Sequence, residues 1–504
     1  MTATALPASG FQLPALRWSG RLADLTAADR RALFDRTTSN DDAIRTRTAE
    51  VIARVRREGD EALRAMAREY DGVELAALEV PRAEWDAALA RLDPTLVDAM
   101  RRAIANVTAV HRAFLPRAQE TSPEPGIVIG RRPDPLQRVG VYAPGGRAAY
   151  PSSVIMGVAP ARVAGVSEII LTSPPQRDTG LPSDVVLAAA ALTGVDRVFA
   201  LGGAGAVAAL AVGTASVPRV DRIVGPGNAY VAEAKLQVAG LVAIDSPAGP
   251  SELLVIADAA ADPELVAREL VAQAEHDPLA CVVAVVVGER AAVRVSEALA
   301  RLAPATPRAT IVRDALAGQS AVLSCDTLAE AVAFSNAYAP EHLLLCVTAG
   351  EALEETLRAV RNAGTVFVGE SASVAYGDYM SGANHVLPTG GLARSYSGLS
   401  TLDFVRWTTY QRITPAAAAS LGEAVGVFAD AEGLPGHAQA ARAHTRAVLP
   451  ADGFPLPASP GAGRGKLEAR AEVRALPRYQ PDEGSCEIDV SDNTNLWGAP
   501  PAAR

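Results

Sequence analysis

Aromatic residues are scarce, only 5% of the 504, so the core has to be built mainly from Ala, Val and Leu. No apolar run reaches the roughly 18–20 residues that a membrane-spanning helix needs. Stretches such as 252-SELLVIADAA-261 and 281-CVVAVVVG-288 are short and read as buried strands. Positive charge is not in excess either: the net charge is −10, which argues against a general nucleic-acid binder with its basic face. Cysteine is limited to Cys281, Cys325, Cys346 and Cys486, far apart and without paired spacing. That pattern suits reduced thiols in a cytoplasm better than a disulfide frame or a zinc finger. The N-terminus shows no basic segment followed by an apolar block, so no secretory signal is read. A cytoplasmic chain that binds neither nucleic acid nor membrane is the expectation.

The length is too great for one hydrophobic core and suggests two to four units. Residues 1–20 lack a strong periodic pattern and read as an arm. Residues 40–120 are helical in pattern, with Ile44, Val51, Val55, Leu63 and Met66 at helix-like spacings and stops at Gly59-Asp60 and Asp71-Gly72. From residue 131 short β-branched runs alternate with Ala-rich helical segments: 138-RVGVYAP, 168-EIILTSP, 197-RVFALGG and 220-VDRIVGPG, then 252-SELLVIAD, 281-CVVAVVVG and 365-TVFVG. Strand–helix alternation of this kind predicts an α/β fold, parallel sheets with helices on their faces, here as two layers with one inserted in the other. Residues 414–448 are helical again, starting at Thr414-Pro415 with a stop at Gly433. The Pro- and Gly-rich stretch 450-PADGFPLPASPGAGRG-465 reads as a linker.

Histidine is rare, with six in the chain, and the surroundings of three are informative. In 262-DPELVARELVAQAEHD-277, Asp262-Pro263 starts a helix, and Gln273 and His276 are three apart, hence on one face. An amide oxygen and an imidazole are competent metal ligands, although a polar helix end facing solvent has the same spacing. In 338-YAPEHLLL-345, Glu341 and His342 fall in the first turn of an expected helix. There they could serve as water-preparing carboxylate and general base, or Glu341 could simply complement the helix dipole. The loop 377-GDYMSGANHVLPTGGLARSYSGLS-400 carries Asp378, a possible metal ligand or turn cap, and His385. Glu432 and His437 lie at a break between helices. The run 198-VFALGGAGAVAAL-210 has the strand–glycine–helix order of a dinucleotide fingerprint, a weak signal alone, since the same glycines make any tight strand-to-helix turn.

Taken together, the blocks 139-VGVYAPGGRAAYPSSVIMGVAPARVAG-165, 202-GGAGAVAALAVGT-214, 220-VDRIVGPGNAYVAEAK-235, 247-PAGPSELLVIAD-258, 273-QAEHD-277, 339-APEHL-343, 377-GDYMSGANHVLPT-389 and 432-EGLPGH-437 resemble the histidinol dehydrogenase family over about residues 40–448. The resemblance implies two incomplete Rossmann-like domains, related to aldehyde dehydrogenases, with helical N- and C-terminal arms. It implies an N-terminal arm at 1–35, a substrate and metal domain from 36–141 and 252–400, an NAD-binding domain at 142–251 and a helical dimerisation arm at 401–449. It implies zinc on Gln273, His276, Asp378 and His437, with His342 as general base and Glu341 preparing water. Ser251 and Glu432, with Gln273, His276, His342, Asp378 and His437, would contact the amino-alcohol substrate. Tyr142, Gly205 and Asn228 would lie on NAD. The implied reaction oxidises L-histidinol to L-histidine in two hydride transfers, in a homodimer whose His437 is supplied by the neighbouring chain.

The chain departs from the family pattern in places. Glycine stands at 205 where the family usually has an NAD-contacting glutamine, and 235-KLQVAGLVAID-245 is shorter than expected. Segment 473-VRALPRYQPDEGSCEIDVSDNTNLWGAPPA-502 resembles the opening of histidinol-phosphate aminotransferase, without that enzyme's cofactor domain, and reads as a remnant after the linker. Two other functions stay open at this point: a paralogue oxidising another polar alcohol, and a non-catalytic scaffold.

Overall fold

The computed structural model describes residues 16–36, 41–145 and 149–445. The segment 450–504, with its linker, its aminotransferase-like stretch and Cys486, lies outside the described residues, as does 1–15. By contact density the chain divides into a large unit, residues 1–124 and 128–412, and a small one, 125–127 with 413–504.

In chain order the described strands are β1 (Trp18–Arg21), β2 (Gln119–Thr121), β3 (Ile127–Pro135), β4 (Arg138–Tyr142), β5 (Glu168–Ser173), β6 (Arg197–Ala200), β7 (Arg222–Val224) and β8 (Ala243–Ile244). They continue with β9 (Glu252–Ala257), β10 (Cys281–Val287), β11 (Ala321–Cys325), β12 (His342–Cys346), β13 (Thr365–Val368) and β14 (Val405–Ile413). One parallel sheet runs β6-β5-β4-β7-β8, a second runs β1-β11-β10-β9-β12-β13, and a small sheet runs β14-β3-β2. Numbered within each repeat, both large sheets have the order 3-2-1-4-5, the doubly wound order of dinucleotide-binding folds short of its sixth strand. The expectation of two incomplete units of that type holds, and the second sheet gains β1 at its edge.

The second sheet is buried on both faces. Leu253, Val255, Val282, Ala284, Val286 and Leu344 point into one core cluster. Leu254, Ile256, Val283, Val285, Leu323, Leu343 and Leu345 point into the other. This is the period-two alternation of a strand whose two faces both meet helices. Each such side chain contributes about 1.5–3 kcal/mol of burial.

Three sequence expectations need correction. Residues 16–36 are not an arm: β1 pairs in parallel with β11, and Leu16, Trp18, Leu22 and Leu33 are buried. The helices between Asp42 and Ala113 pack with the five-stranded sheet and not with the strands of the 252–400 layer. Val51, Val55, Leu63, Met66 and Val107 share one core with the five-stranded sheet, because the Ala-rich helices Pro151–Ala164, Asp184–Thr193 and Gly203–Val212 leave shallow faces for them to cover. Strand β4 belongs to that same sheet, so the layer boundary falls before Arg138 rather than at 142.

Candidate active site

Glu341 and His342 do not begin a helix. The preceding helix, Leu328–Tyr338, ends on Ala339 in the left-handed region at φ 53°, and after Pro340 the chain enters β12. The run 342-HLLLC-346 lacks β-branched residues and looks helical locally, but its slot between β9 and β13 buries all five side chains. Tertiary burial overrides propensity here.

At this edge of the sheet one residue gathers the pair. The backbone N–H of Glu252 donates to Glu341 Oε2 at 2.7 Å. The carbonyl oxygen of Glu252 lies 2.9 Å from His342 Nδ1. The carboxylate of Glu252 accepts from Glu341 N–H at 3.3 Å and Gly390 N–H at 2.7 Å. Its Oε2 is also ion-paired with Arg36, whose guanidinium stacks 3.6 Å from the Tyr338 ring centroid and donates to the Tyr338 carbonyl. Burial pushes the Glu252 carboxyl up to about 7, against the pull of Arg36 and with the push of Glu341. Neither Arg36 nor Glu252 was singled out from the sequence. A lone carboxylate heading the apolar run 253–257 was the available signal for Glu252, and Arg36 had none.

His342 Nε2 faces Asp378 Oδ1 at 3.5 Å and has no hydrogen-bond partner among the described residues. Burial opposes a charged ring, but the Glu341 carboxylate and then Asp378 outweigh it, and the His342 pKa rises well above the ordinary value. Asp378 is nearly buried in the short helix Val374–Tyr379. Desolvation would raise its pKa, yet the facing His342 ring and the fields of His385 and His276 hold it below the usual carboxylate range. His385 Nδ1 lies 2.8 Å from the Asp378 carbonyl oxygen and ties the loop back on itself.

Gln273 is buried in the last turn of the helix Pro263–Ala274, which Asp262 caps as expected. His276 is not on that helix: it follows the C-cap Glu275, so the expected shared helical face is replaced by a turn in which His276 N–H meets the Gln273 carbonyl at 3.3 Å. Among the described residues no three His, Cys, Asp or Glu side chains gather as a metal centre. The large unit does bring an anionic carboxylate within the field of His276. An amide oxygen at Gln273, an imidazole at His276 and a carboxylate at Asp378 are donors of the types a zinc ion accepts. Ser251, just before β9, is half-buried.

The expected cofactor residues lie at the carboxyl end of the first sheet. Tyr142 ends β4 and its hydroxyl accepts from Gly203 N–H at 3.1 Å. Asn228 follows β7 and caps the helix Ala229–Val238, its Oδ1 accepting from Tyr230 N–H and Val231 N–H at 3.1 Å each. Gly225 needs its φ of +116°, since a Cβ there would strike the Tyr142 carbonyl oxygen. β4 and β7 are the strands between which the order reverses, the usual place for a nucleotide crevice. A cavity of about 380 Å³ lies alongside, lined by Asp71, Gly145, Ser173, Pro174 and Gln176. Gly205 is buried in the first turn of the helix Gly203–Val212, where Met66 Sδ fills the space that a side chain would enter.

The 377–389 loop, which follows the second sheet, reaches the helices of the first layer: Asn106 Nδ2 donates to the Met380 carbonyl at 2.7 Å, and Asn384 Nδ2 to the Met156 carbonyl at 2.8 Å. In the small unit, Glu432 caps the end of the helix Pro415–Ala431, Gly433 turns the chain at φ 73°, and His437 is exposed in the first turn of the helix Pro435–Ala443.

A buried imidazole between two carboxylates, at the rim of a parallel sheet of the dinucleotide-binding order, defines an α/β enzyme built for proton movement. The chain belongs to the histidinol dehydrogenase family, whose model matches residues 34–445. It is 45% identical over 424 residues to a histidinol dehydrogenase of Methanosarcina mazei, covering 84% of this chain and 96% of that one. It is 48% identical over 419 residues to one of Natronomonas pharaonis, covering 83% and 97%. A crystal structure of histidinol dehydrogenase from Elizabethkingia anophelis is similar at a TM-score of 0.80 and 33% identity, over 85% of this chain and 98% of that one. The chain is thus a dehydrogenase of a family consistent with histidinol oxidation in histidine biosynthesis.

Proposed function

We propose that this protein carries out the zinc- and NAD-dependent four-electron oxidation of L-histidinol to L-histidine by way of bound L-histidinal. The observation that carries the reading is the buried His342, with Nδ1 tied to the Glu252 carbonyl and Nε2 free of hydrogen bonds beside Asp378. Zinc would be held by Gln273, His276, Asp378 and His437, and when bound it would orient the amino alcohol and draw electron density from it. Two NAD molecules in succession, set against Tyr142, Asn228 and the turn at Gly205, would each accept one hydride.

His342 Nε2 takes the hydroxyl proton as the alcohol carbon gives up its first hydride. The aldehyde stays in place, with Ser251 and Glu432 among its contacts. Glu341 accepts a proton from the water that adds to it, and the hydrate gives up the second hydride to leave a carboxylate. One water is consumed and two NADH are formed. Keeping both steps in one enclosed site protects the aldehyde from side reactions.

Gln273, His276 and Asp378 of the large unit would supply three of the four ligands. This supports a homodimer in which His437 of the small unit completes a neighbour's site. Three unpaired buried cysteines fit the cytoplasmic setting, and among the described residues no helix is long and apolar enough to cross a membrane. The test is the count of NADH formed per histidinol consumed by the zinc-loaded protein. Two is expected; one, with histidinal accumulating, ends the four-electron reading.

A further inference from the structure

The Glu341–His342 pair is held less by its own strand than by one residue of the neighbouring strand. Every polar group of Glu252 is engaged there: its N–H with the Glu341 carboxylate, its carbonyl with His342 Nδ1, its carboxylate with Glu341 N–H, Gly390 N–H and Arg36. Arg36 adds a second grip. It holds the Glu252 carboxylate on one side and the Tyr338 carbonyl on the other, three residues ahead of Glu341. The Arg36 and Glu252 side chains are 2% and 1% exposed, so neither reaches solvent or substrate and neither is a catalytic residue.

We propose that Arg36 and Glu252 are positioning residues for the dyad: they fix the start of β12 against β9 so that His342 keeps a proton on Nδ1 and exchanges protons with substrate through Nε2 alone. A carbonyl oxygen accepts only from N–H, so the 2.9 Å contact from Nδ1 to the Glu252 carbonyl requires the proton on Nδ1 whether the ring is neutral or charged. The side chains of Glu252 and Arg36 keep that carbonyl and the ring in register. The kinetic part of the proposal rests on the histidinol-oxidising reading; the placement of the His342 proton does not.

Replacing a buried ion pair by apolar residues of similar volume is generally tolerated, whereas removing one partner is not. The informative variant is therefore Arg36→Met with Glu252→Leu, in which Glu341 N–H and Gly390 N–H lose their acceptor. Its fold is checked by thermal unfolding and by zinc content. Ring nitrogen signals are read from protein labelled with ¹⁵N-histidine, the His342 pair being identified by its loss in His342→Asn. At a pH high enough for the ring to be neutral, the wild type should show a single tautomer with the proton on Nδ1, and the variant a mixture of tautomers. A shift of the reacting groups approaching 1 Å costs on the order of 10²-fold in rate, so kcat should fall by about that factor while KM for histidinol changes little.

The same two substitutions in the His342→Asn background should cost almost nothing further, because they act through that ring. A folded double variant with wild-type His342 signals, or an equal loss of kcat in both backgrounds, overturns the proposal. If the double variant does not fold, Arg36→Lys decides: it keeps the charge, loses the two-sided grip, and should lower kcat several-fold with KM unchanged. Wild-type kcat in Arg36→Lys would sink the proposal. Wild-type protein that forms no NADH from histidinol would instead defeat the functional reading and leave the tautomer measurement to decide this one.

Discussion

Gly364 offers a way to move the dyad without touching any of its side chains. It precedes β13 and lies against the backbone of Glu341: Gly364 N–H donates to the Pro340 carbonyl at 2.9 Å, and Thr365 N–H to the Glu341 carbonyl at 3.0 Å. A Cβ at 364 would sit 2.5 Å from the Glu341 carbonyl oxygen and 3.3 Å from its carbon, with Leu387 Cβ at 3.3 Å on the other side. Ordinary contact begins at 3.4 Å, so Gly364→Ala must displace that carbonyl by about 0.9 Å, and Leu387 leaves the new methyl little room to retreat. The φ of Gly364 is in no unusual region, so the perturbation is steric and not torsional.

Two effects of different kind follow. Overpacking one methyl into a tight site costs about 1–3 kcal/mol of stability. The same displacement, carried one residue along to His342, should cost about 10²-fold in kcat, or roughly 2.7 kcal/mol of transition-state stabilisation at 1.36 kcal/mol per decade. Differential scanning calorimetry and steady-state NADH formation, on protein with matched zinc content, separate the two. Gly364→Ala with wild-type kcat would refute the claim that the position of this peptide sets the reactivity of the dyad.

At Gly205, introducing glutamine should not strengthen NAD binding by itself. The new Cβ would meet Met66 Sδ at 2.9 Å, so Gly205→Gln should lower stability by about 1–3 kcal/mol, and Met66→Ala should relieve most of it; additive effects in a double-mutant cycle would contradict this. Lys235→Met should cost about 3–5 kcal/mol by stranding Asp245 and raise KM for NAD, because the buried Lys235–Asp245 pair holds Gly225 from both sides, through its carbonyl and its N–H; an unchanged urea midpoint would count against it. Asp71 has its pKa raised by burial to about 6. A carboxyl raised in the folded state contributes stability that is present below its unfolded pKa and lost as pH rises through about 6. Discounted for its exposed flank, the loss is roughly 1 kcal/mol at most, so Asp71→Asn should gain on the wild type by up to that amount as urea midpoints are compared from pH 5 to pH 7.5; a constant gap would refute it.

Much of the fold could be read locally. The β-branched runs at 138, 168, 197, 252, 281 and 365 are strands, and the starts at Asp41, Asp262 and Thr414 and the stops at Gly59, Gly72 and Gly433 mark helix ends because each rests on nearby backbone chemistry. What was misread depends on partners distant in sequence. β12 is a strand only because β9 and β13 flank it, and β1 only because β11 offers an edge. Arg36 and Glu252 are 216 residues apart, so neither neighbourhood betrays the other. His276 left its helix because the last turn ended two residues earlier than the periodicity suggested, which is the usual error at a frayed end.

The two sheets share one strand order but use opposite ends, and helix polarity gives the reason. In a parallel sheet with helical crossovers, helices begin at the carboxyl edge and end at the amino edge. At the carboxyl edge of the first sheet the helices starting at Gly203 and Ala229 present the positive ends of their dipoles, which suit a pyrophosphate. At the amino edge of the second sheet the helices Pro263–Ala274 and Leu328–Tyr338 present their carboxyl ends, beside Gln273, His276 and Glu341. Those carbonyl ends, with the carboxylates of Glu252, Glu341 and Asp378, make a negative field that suits a divalent cation and a ring that gathers protons, and it would repel a phosphate. On the proposed reading, one repeated fold used at its two opposite edges would separate an anionic cofactor from a cationic one by helix polarity together with these carboxylates. Exchanging His276 for a lysine would test the sign of this field: a fixed positive charge should be tolerated there with little loss of stability, whereas Asp or Glu at the same position should destabilise the fold at neutral pH.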